Sequence, residues 1–170
     1  LRLGGSSELY EDFNTKFGDL SAIMIENLPF WVEITTTPSK KVSLMSEWES
    51  KLKAIVSEVK NEDVGSMTGV PSWMMVLLQH TLADTGKQTI SEIWPNLEVF
   101  FHGGISFKPY RDQYRKIIGK DINYYEIYNA SEGFFAIQDQ PGSDEMLLML
   151  DYGIFYEFIP MDAFDPDNLQ

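Results

Sequence analysis

The sequence predicts an α/β fold in which a parallel α/β unit gives way to an antiparallel three-strand meander. Two observations carry this. Residues 97–101 and 123–127 are short apolar runs joined by one helical stretch, 107–118. Strands joined by a single crossover helix run parallel and present their C-terminal ends on one edge of the sheet. Beyond residue 133 the pattern changes to three short strand-like runs, 134–138, 146–150 and 154–159, separated by turn signals. With 170 residues the chain is long enough for one domain, 1–170, with a sizeable core.

Taken in order, residues 8–27 read as one or two helices interrupted by Gly18 and ended by Pro29. Ile23, Met24, Leu28, Phe30 and Trp31 are expected in the core. Residues 35–39 form a polar connection. Residues 47–60 are the clearest helix: Trp48, Leu52, Ile55, Val56 and Val59 share one face, and Ser46 with Glu49 predicts a capping box. Its charges, with Glu47–Lys51 and Glu49–Lys53 in the favourable order, read as a solvated face. Gly69-Val70-Pro71 opens another helix, apolar all round from Trp73 to Leu78 and therefore expected to be buried, with Gly86 as its stop. His80 on this helix has no second ligand at metal-binding spacing, so it reads as a packed or surface histidine.

Residues 90–94 form a short helix broken by Pro95, and 97–101 an interior strand. His102 reads as a hydrogen-bonded strand end. Gly103-Gly104 follows, allowing a close backbone approach that side chains would forbid. Ser106 is placed to cap the helix over 107–118, with Gly119 just past its end. Phe107, Tyr110, Tyr114, Ile117 and Ile118 make its inner face. Lys108, Arg111, Arg115 and Lys116 make a basic outer face, and Asp112 among them favours a solvated surface over a phosphate site. Gln140-Pro141-Gly142-Ser143 predicts a type II turn, and Asp151-Tyr152-Gly153 a tight connection. The acidic tail, Asp162 to Asp167, lacks the spacing and glycine of a calcium loop.

Composition narrows the function. The net charge of −13, from 26 acidic and 13 basic residues, argues against nucleic-acid binding, because such a surface repels phosphate chains. It does not argue against ATP, which loops and a metal hold locally. No apolar run is long enough to span a bilayer, and no membrane role is expected. The absence of cysteine rules out a disulfide framework or thiolate metal site within the sequence and fits a cytoplasmic protein.

The chemistry concentrates in Tyr128-Asn129-Ala130-Ser131-Glu132-Gly133, at the end of the second parallel strand. An aromatic can stack a base, and Asn129 and Ala130 let the backbone approach a ligand. The Ser131 hydroxyl can bond a phosphate oxygen. Glu132 cannot bind phosphate directly but can hold a Mg²⁺ that does. On these residues alone two readings stand: a nucleotide loop, or a plain strand-to-strand turn.

Tyr128-Asn129-Ala130-Ser131-Glu132 and the upstream His102-Gly103-Gly104 resemble motifs of the Gretchen Hagen, or auxin-responsive promoter, family of acyl-acid amido synthetases. That family lies within the adenylate-forming enzymes. Asp19-Leu20-Ser21-Ala22 through Asn27-Leu28-Pro29-Phe30-Trp31, Gly69-Val70-Pro71-Ser72-Trp73-Met74 and Phe155-Tyr156-Glu157-Phe158-Ile159-Pro160 extend the resemblance in the family's order over nearly the whole chain. The family's Ser/Thr/Gly-rich phosphate loop is not matched: Leu3-Gly4-Gly5-Ser6-Ser7 lacks the Thr and the following Lys. Its later ribose-gripping Arg/Asp motif is not matched either. The chain begins with Leu, so it reads as the central part of a larger adenylation domain, a partial adenylate-forming N-terminal domain.

The resemblance implies ATP and Mg²⁺, a carboxylic acid and an amino acid as partners, and two steps: an acyl-adenylate forms, then an amine captures the acyl group. It implies nucleotide contacts from Gly103, Gly104, Ile105, Tyr128, Asn129, Ala130 and Ser131. It gives catalytic roles to Ser131 and Glu132, with Glu132 on the metal, and an acyl pocket near Val70, Trp73 and Met74. A thiol acceptor, or a non-catalytic scaffold keeping the fold, are the alternatives. The isolated 170-residue piece is expected to be inactive, and its oligomeric state and acyl acid stay open.

Overall fold

The computed structural model describes residues 1–4 and 8–165. Gly5, Ser6 and Ser7 of the phosphate-loop candidate, and Pro166 and Asp167 of the acidic tail, lie outside the described residues.

Residues 8–18 are not helical, contrary to expectation, but form a hairpin of β1 (Leu9–Asp12) and β2 (Thr15–Gly18), with Tyr10 opposite Phe17. Those two rings stack at 5.6 Å, a cross-strand pair that a helix would not make. The helix that follows, α1 (Leu20–Glu26), buries Ala22 and Ile25. Met24, Phe30 and Trp31, expected in the core, are exposed. Two short helical turns come next, α2 (Phe30–Glu33) and α3 (Lys40–Ser43). Glu26 takes Lys16 from the hairpin and Lys40 from α3, tying three elements together.

The clear helix is α4 (Trp48–Val59). Its cap is Glu47 rather than Ser46: the Glu47 carboxylate accepts from the backbone N–H of Glu49 and Ser50 at 2.9 and 2.7 Å. Leu52, Ile55, Val56 and Val59 are buried as expected, but so is Lys51, expected on a solvated face. Strand β3 (Ser66–Gly69) leads through Val70 into α5 (Pro71–Thr85), closed by Gly86 in the left-handed conformation. This helix is buried on one side only. Met74, Met75, Leu77 and Leu78 face the core, while Trp73 and Val76 are partly open to solvent and His80 is exposed. Residues 90–92 make one 3₁₀ turn closed by a Thr89/Glu92 capping box. Beyond it, the buried Trp94 indole donates to Val59 O at 3.0 Å.

Strand β4 (Val99–Gly103) is followed by a 3₁₀ turn at 108–110, helix α6 (Arg111–Ile118) and strand β5 (Asn123–Ala130). The helix thus starts four residues later than expected, and no Ser106 cap forms. Two strands complete the sheet, β6 (Gly133–Ile137) and β7 (Leu147–Leu148), and its order is β3-β4-β5-β6-β7. β3, β4 and β5 are parallel, while β5, β6 and β7 are antiparallel, so the fold class stands. The expected strand over 154–159 does not form. β7 spans only two residues, too little ladder to template another strand.

Alternation across the sheet separates its two faces. Met67, Phe100 and Tyr124 lie in register and join the core that α4, α5 and α6 cover. Phe100 stacks on Tyr114 of α6 at 5.0 Å, and the Tyr114 hydroxyl donates to Pro71 O at 2.7 Å. Thr68, Phe101 and Tyr125 occupy the opposite face.

Candidate functional site

The C-terminal ends of the parallel strands open into a cleft of about 610 Å³. It is built from glycines and small side chains because the strands end there in Gly69, Gly103 and Ala130. The approach is closest at Gly103, where an added Cβ would sit 2.3 Å from Ile127 O, so only glycine lets β4 and β5 pair here. At Gly104, in the left-handed region at φ 82°, a Cβ would come 3.5 Å from Val70 Cγ2.

The sequence-predicted residues divide between two neighbouring hollows. Gly103, Gly104, Asn129, Ala130, Ser131 and Val70 line the main cleft. Ile105 and Tyr128 line a shallower hollow of about 410 Å³ that shares Gly104, Ile127 and Asn129 with it. Tyr128 is exposed and its ring lies 5.1 Å from Phe135. The motif is not a free loop. Tyr128, Asn129 and Ala130 belong to β5, and Ser131-Glu132 is the two-residue turn into β6, with Ala130 paired to Gly133. A register shift between Tyr128 and Asn129 leaves Phe135 as the extra residue of a bulge, a device that re-aims side chains near a strand end.

Glu132 is exposed at the hairpin tip, between two residues that line the cleft, Ser131 and Gly133, without lining it itself. Met74 is fully buried beneath the cleft, its methyl 3.4 Å from where a Gly69 Cβ would be. Trp73 lies away from the cleft, packed edge-on against Trp48 at 5.1 Å.

Several cleft residues were not singled out as ligand contacts by the sequence: Leu20, Ser21 and Met24 of α1, Phe101 and Phe134. Leu20 and Met24 carried a usable signal, two apolar residues one turn apart and outside the helix's Ala22/Ile25 face. The other correction concerns His102. It is buried, stacks on Phe107 at 4.2 Å, and its Nδ1 has no hydrogen-bond partner, so it is not the hydrogen-bonded strand end expected. Burial, helped by the Arg111 charge, lowers its pKa to about 4, so the ring is neutral at pH 7.

Among the described residues no group of three or more His, Cys, Asp and Glu could hold a metal, and no helix is long and apolar enough to cross a membrane. No curated protein and no solved structure matches the chain. The sequence does match the GH3 family N-terminal domain over residues 8–122, a span that takes in Val70-Pro71 and His102-Gly103-Gly104 and ends just before β5. With more than half of its length inside that match, the chain belongs to the GH3 family.

Proposed function

We propose that this chain supplies the nucleotide-facing rim of an ATP-dependent enzyme that activates a carboxylic acid as its acyl-adenylate and passes the acyl group to an amino-acid amine. Family membership implies adenylation of the acyl-acid amido synthetase kind. The observation that carries the finer reading is that Gly103, Gly104, Asn129, Ala130 and Ser131 line one cleft at the C-terminal ends of parallel strands. This edge is where open α/β sheets bind ligands.

The barrier to adenylation is electrostatic, since a carboxylate must approach a triphosphate. The chain's part is to position and to shield. Gly103 and Gly104 leave room for a flat base against the backbone, and Tyr128 offers an exposed ring to stack on it. The Ser131 hydroxyl donates to a phosphate oxygen and fixes its orientation. Val70, over Gly104, forms an apolar wall for the acyl group, with Met74 behind Gly69.

A nucleotide-bound Mg²⁺ takes one or two protein carboxylates and fills its other positions with phosphates and water, so a single exposed carboxylate beside Ser131 fits it. Glu132 is that carboxylate. The ion, when bound, neutralises phosphate charge.

The test is acid-dependent exchange of pyrophosphate into ATP by the full-length protein. Glu132→Ala should abolish exchange, and Ser131→Ala should lower it by about tenfold or more. An unchanged rate in Glu132→Ala refutes its metal role. Product analysis then separates acceptors: an amide with amino acids supports this reading, and a thioester with a thiol acceptor replaces it.

A further inference from the structure

A separate cavity, of about 210 Å³, lies on the helix side of the sheet. Phe101 and Gly103 face the nucleotide cleft, and His102 between them turns the other way, into this cavity. Tyr124, on the same face of β5, lines it too. Lys108, Arg111 and Arg115 of the crossover segment supply its charge.

Two observations point independently to a ligand. The first is polar atoms without partners: among the described residues only three buried side-chain atoms lack one, and two of them, His102 Nδ1 and the Tyr124 hydroxyl, belong to residues that line this cavity. His102 is 2% exposed, so bulk water does not satisfy it. Buried polar groups are nearly always paired, and two orphans in one cavity mark a place where something else completes the bonding.

The second observation is charge. The lining holds three cations against two carboxylates, Glu126 and Asp144. Asp144 sits at 3.3 Å from Lys108 and 4.0 Å from Arg111, and both partners of the closer pair are well exposed. Arg111 lies near enough to His102 to lower its pKa, and Arg111 and Arg115 both act on Tyr124 in the same direction. Arg111, Arg115, His102 and Tyr124 all line the one cavity. Guanidinium groups offer donors alone, and the hydroxyl and neutral imidazole can each add one. Such a set matches the lone pairs of an oxyanion.

We propose that this cavity binds a small oxyanion, the carboxylate or phosphate group of a small molecule, held by Arg111, Arg115, the Tyr124 hydroxyl and His102 Nδ1. Its volume equals that of roughly seven waters, so the ligand is a molecule of few heavy atoms rather than a nucleotide. The site is separate from the nucleotide cleft and does not depend on the adenylation reading.

Nuclear magnetic resonance tests it cleanly, because the chain has two histidines and His80 is an exposed control. The full chain is titrated with acetate and, separately, with inorganic phosphate. A saturable shift of the His102 imidazole signals, with His80 unmoved, is expected from at least one anion. Saturation by acetate alone identifies a carboxylate ligand, and saturation by phosphate alone a phosphate. Arg111→Met and Tyr124→Phe should each weaken binding by about tenfold or more. Tyr124→Phe keeps the ring and its packing, so it remains informative if the arginine variant misfolds. No saturable shift with either anion, or undiminished affinity in Tyr124→Phe and Arg111→Met, overturns the proposal and leaves a cavity that holds only water.

Discussion

A single added methyl shows how tightly the cleft at the strand ends is set. At Gly103 a Cβ would press into the Ile127 carbonyl at 2.3 Å, a backbone atom that cannot swing aside as a side chain could. Gly103→Ala should therefore push β4 from β5 and cost about 3 kcal/mol or more, read as a lower urea midpoint. Gly86 makes the control. It caps α5 at φ 69° with nothing within 4 Å of where an added methyl would sit, so Gly86→Ala should cost only the left-handed strain, about 1 kcal/mol. Equal losses at the two positions would mean that the close strand approach at Gly103 is not what glycine is needed for. The doublet was legible in the sequence because nothing but glycine suits such a contact. His102 beside it was not, since a sequence does not tell whether a strand-end histidine finds a partner.

Elements were legible where periodicity and capping agreed, and misread where one spacing served two structures. Tyr10, Phe13 and Phe17 fall at helical intervals, yet Tyr10 and Phe17 also stand opposite each other once Phe13 turns the chain at φ 52°. The cross-strand contact decides, and no window of sequence contains that contact. In α4 the apolar face was clear, but the cap moved by one residue, from a hydroxyl to the Glu47 carboxylate. Hydrogen bonds from the Ser50 side chain and from the backbone N–H of Ser50 and Glu49 hold this carboxyl below its ordinary 4.5. Because folding favours the deprotonated form, the stabilisation is complete above the ordinary value and is lost as pH falls through the depressed folded one. Glu47→Gln should thus melt below the wild type at pH 7, and the two curves should converge in acid. A gap that persists at low pH would assign the loss to packing instead. Tyr114→Phe probes the joint between α5 and α6. It removes the buried donor to Pro71 O and should cost about 1–2 kcal/mol with the ring stack on Phe100 retained.

Across the whole molecule, the parallel pairing of β4 and β5 was the most legible feature, because a crossover helix between two apolar runs permits little else. β3 beside them was not read, since Ser66-Met67-Thr68-Gly69 carries no apolar run of its own. The rim at the ends of β4 and β5 followed from their pairing. What did not follow was how the face divides into hollows. The contribution of α1 to the cleft depends on the hairpin packing before it, and the cavity around His102 depends on the 141–144 turn folding back towards α6. Both are long-range events. Net charge, by contrast, is a property of composition alone, and it yields a prediction at this scale. The excess of −13 makes the folded chain repel itself more than the expanded one. Added salt screens that repulsion, with a Debye length near 30 Å at 0.01 M and about 8 Å at 0.15 M. Raising NaCl between those two concentrations at pH 7 should lift the thermal midpoint by about 3 °C, the equivalent of roughly 1 kcal/mol for a chain of this size. Sucrose at equal osmolality separates screening from solvent exclusion: it should leave a smaller rise than salt does. A midpoint that falls with salt would show that attractive pairs such as Lys60–Asp84 and Lys40–Glu26 outweigh the global repulsion, and that the acidic excess is spread too widely to act on the fold.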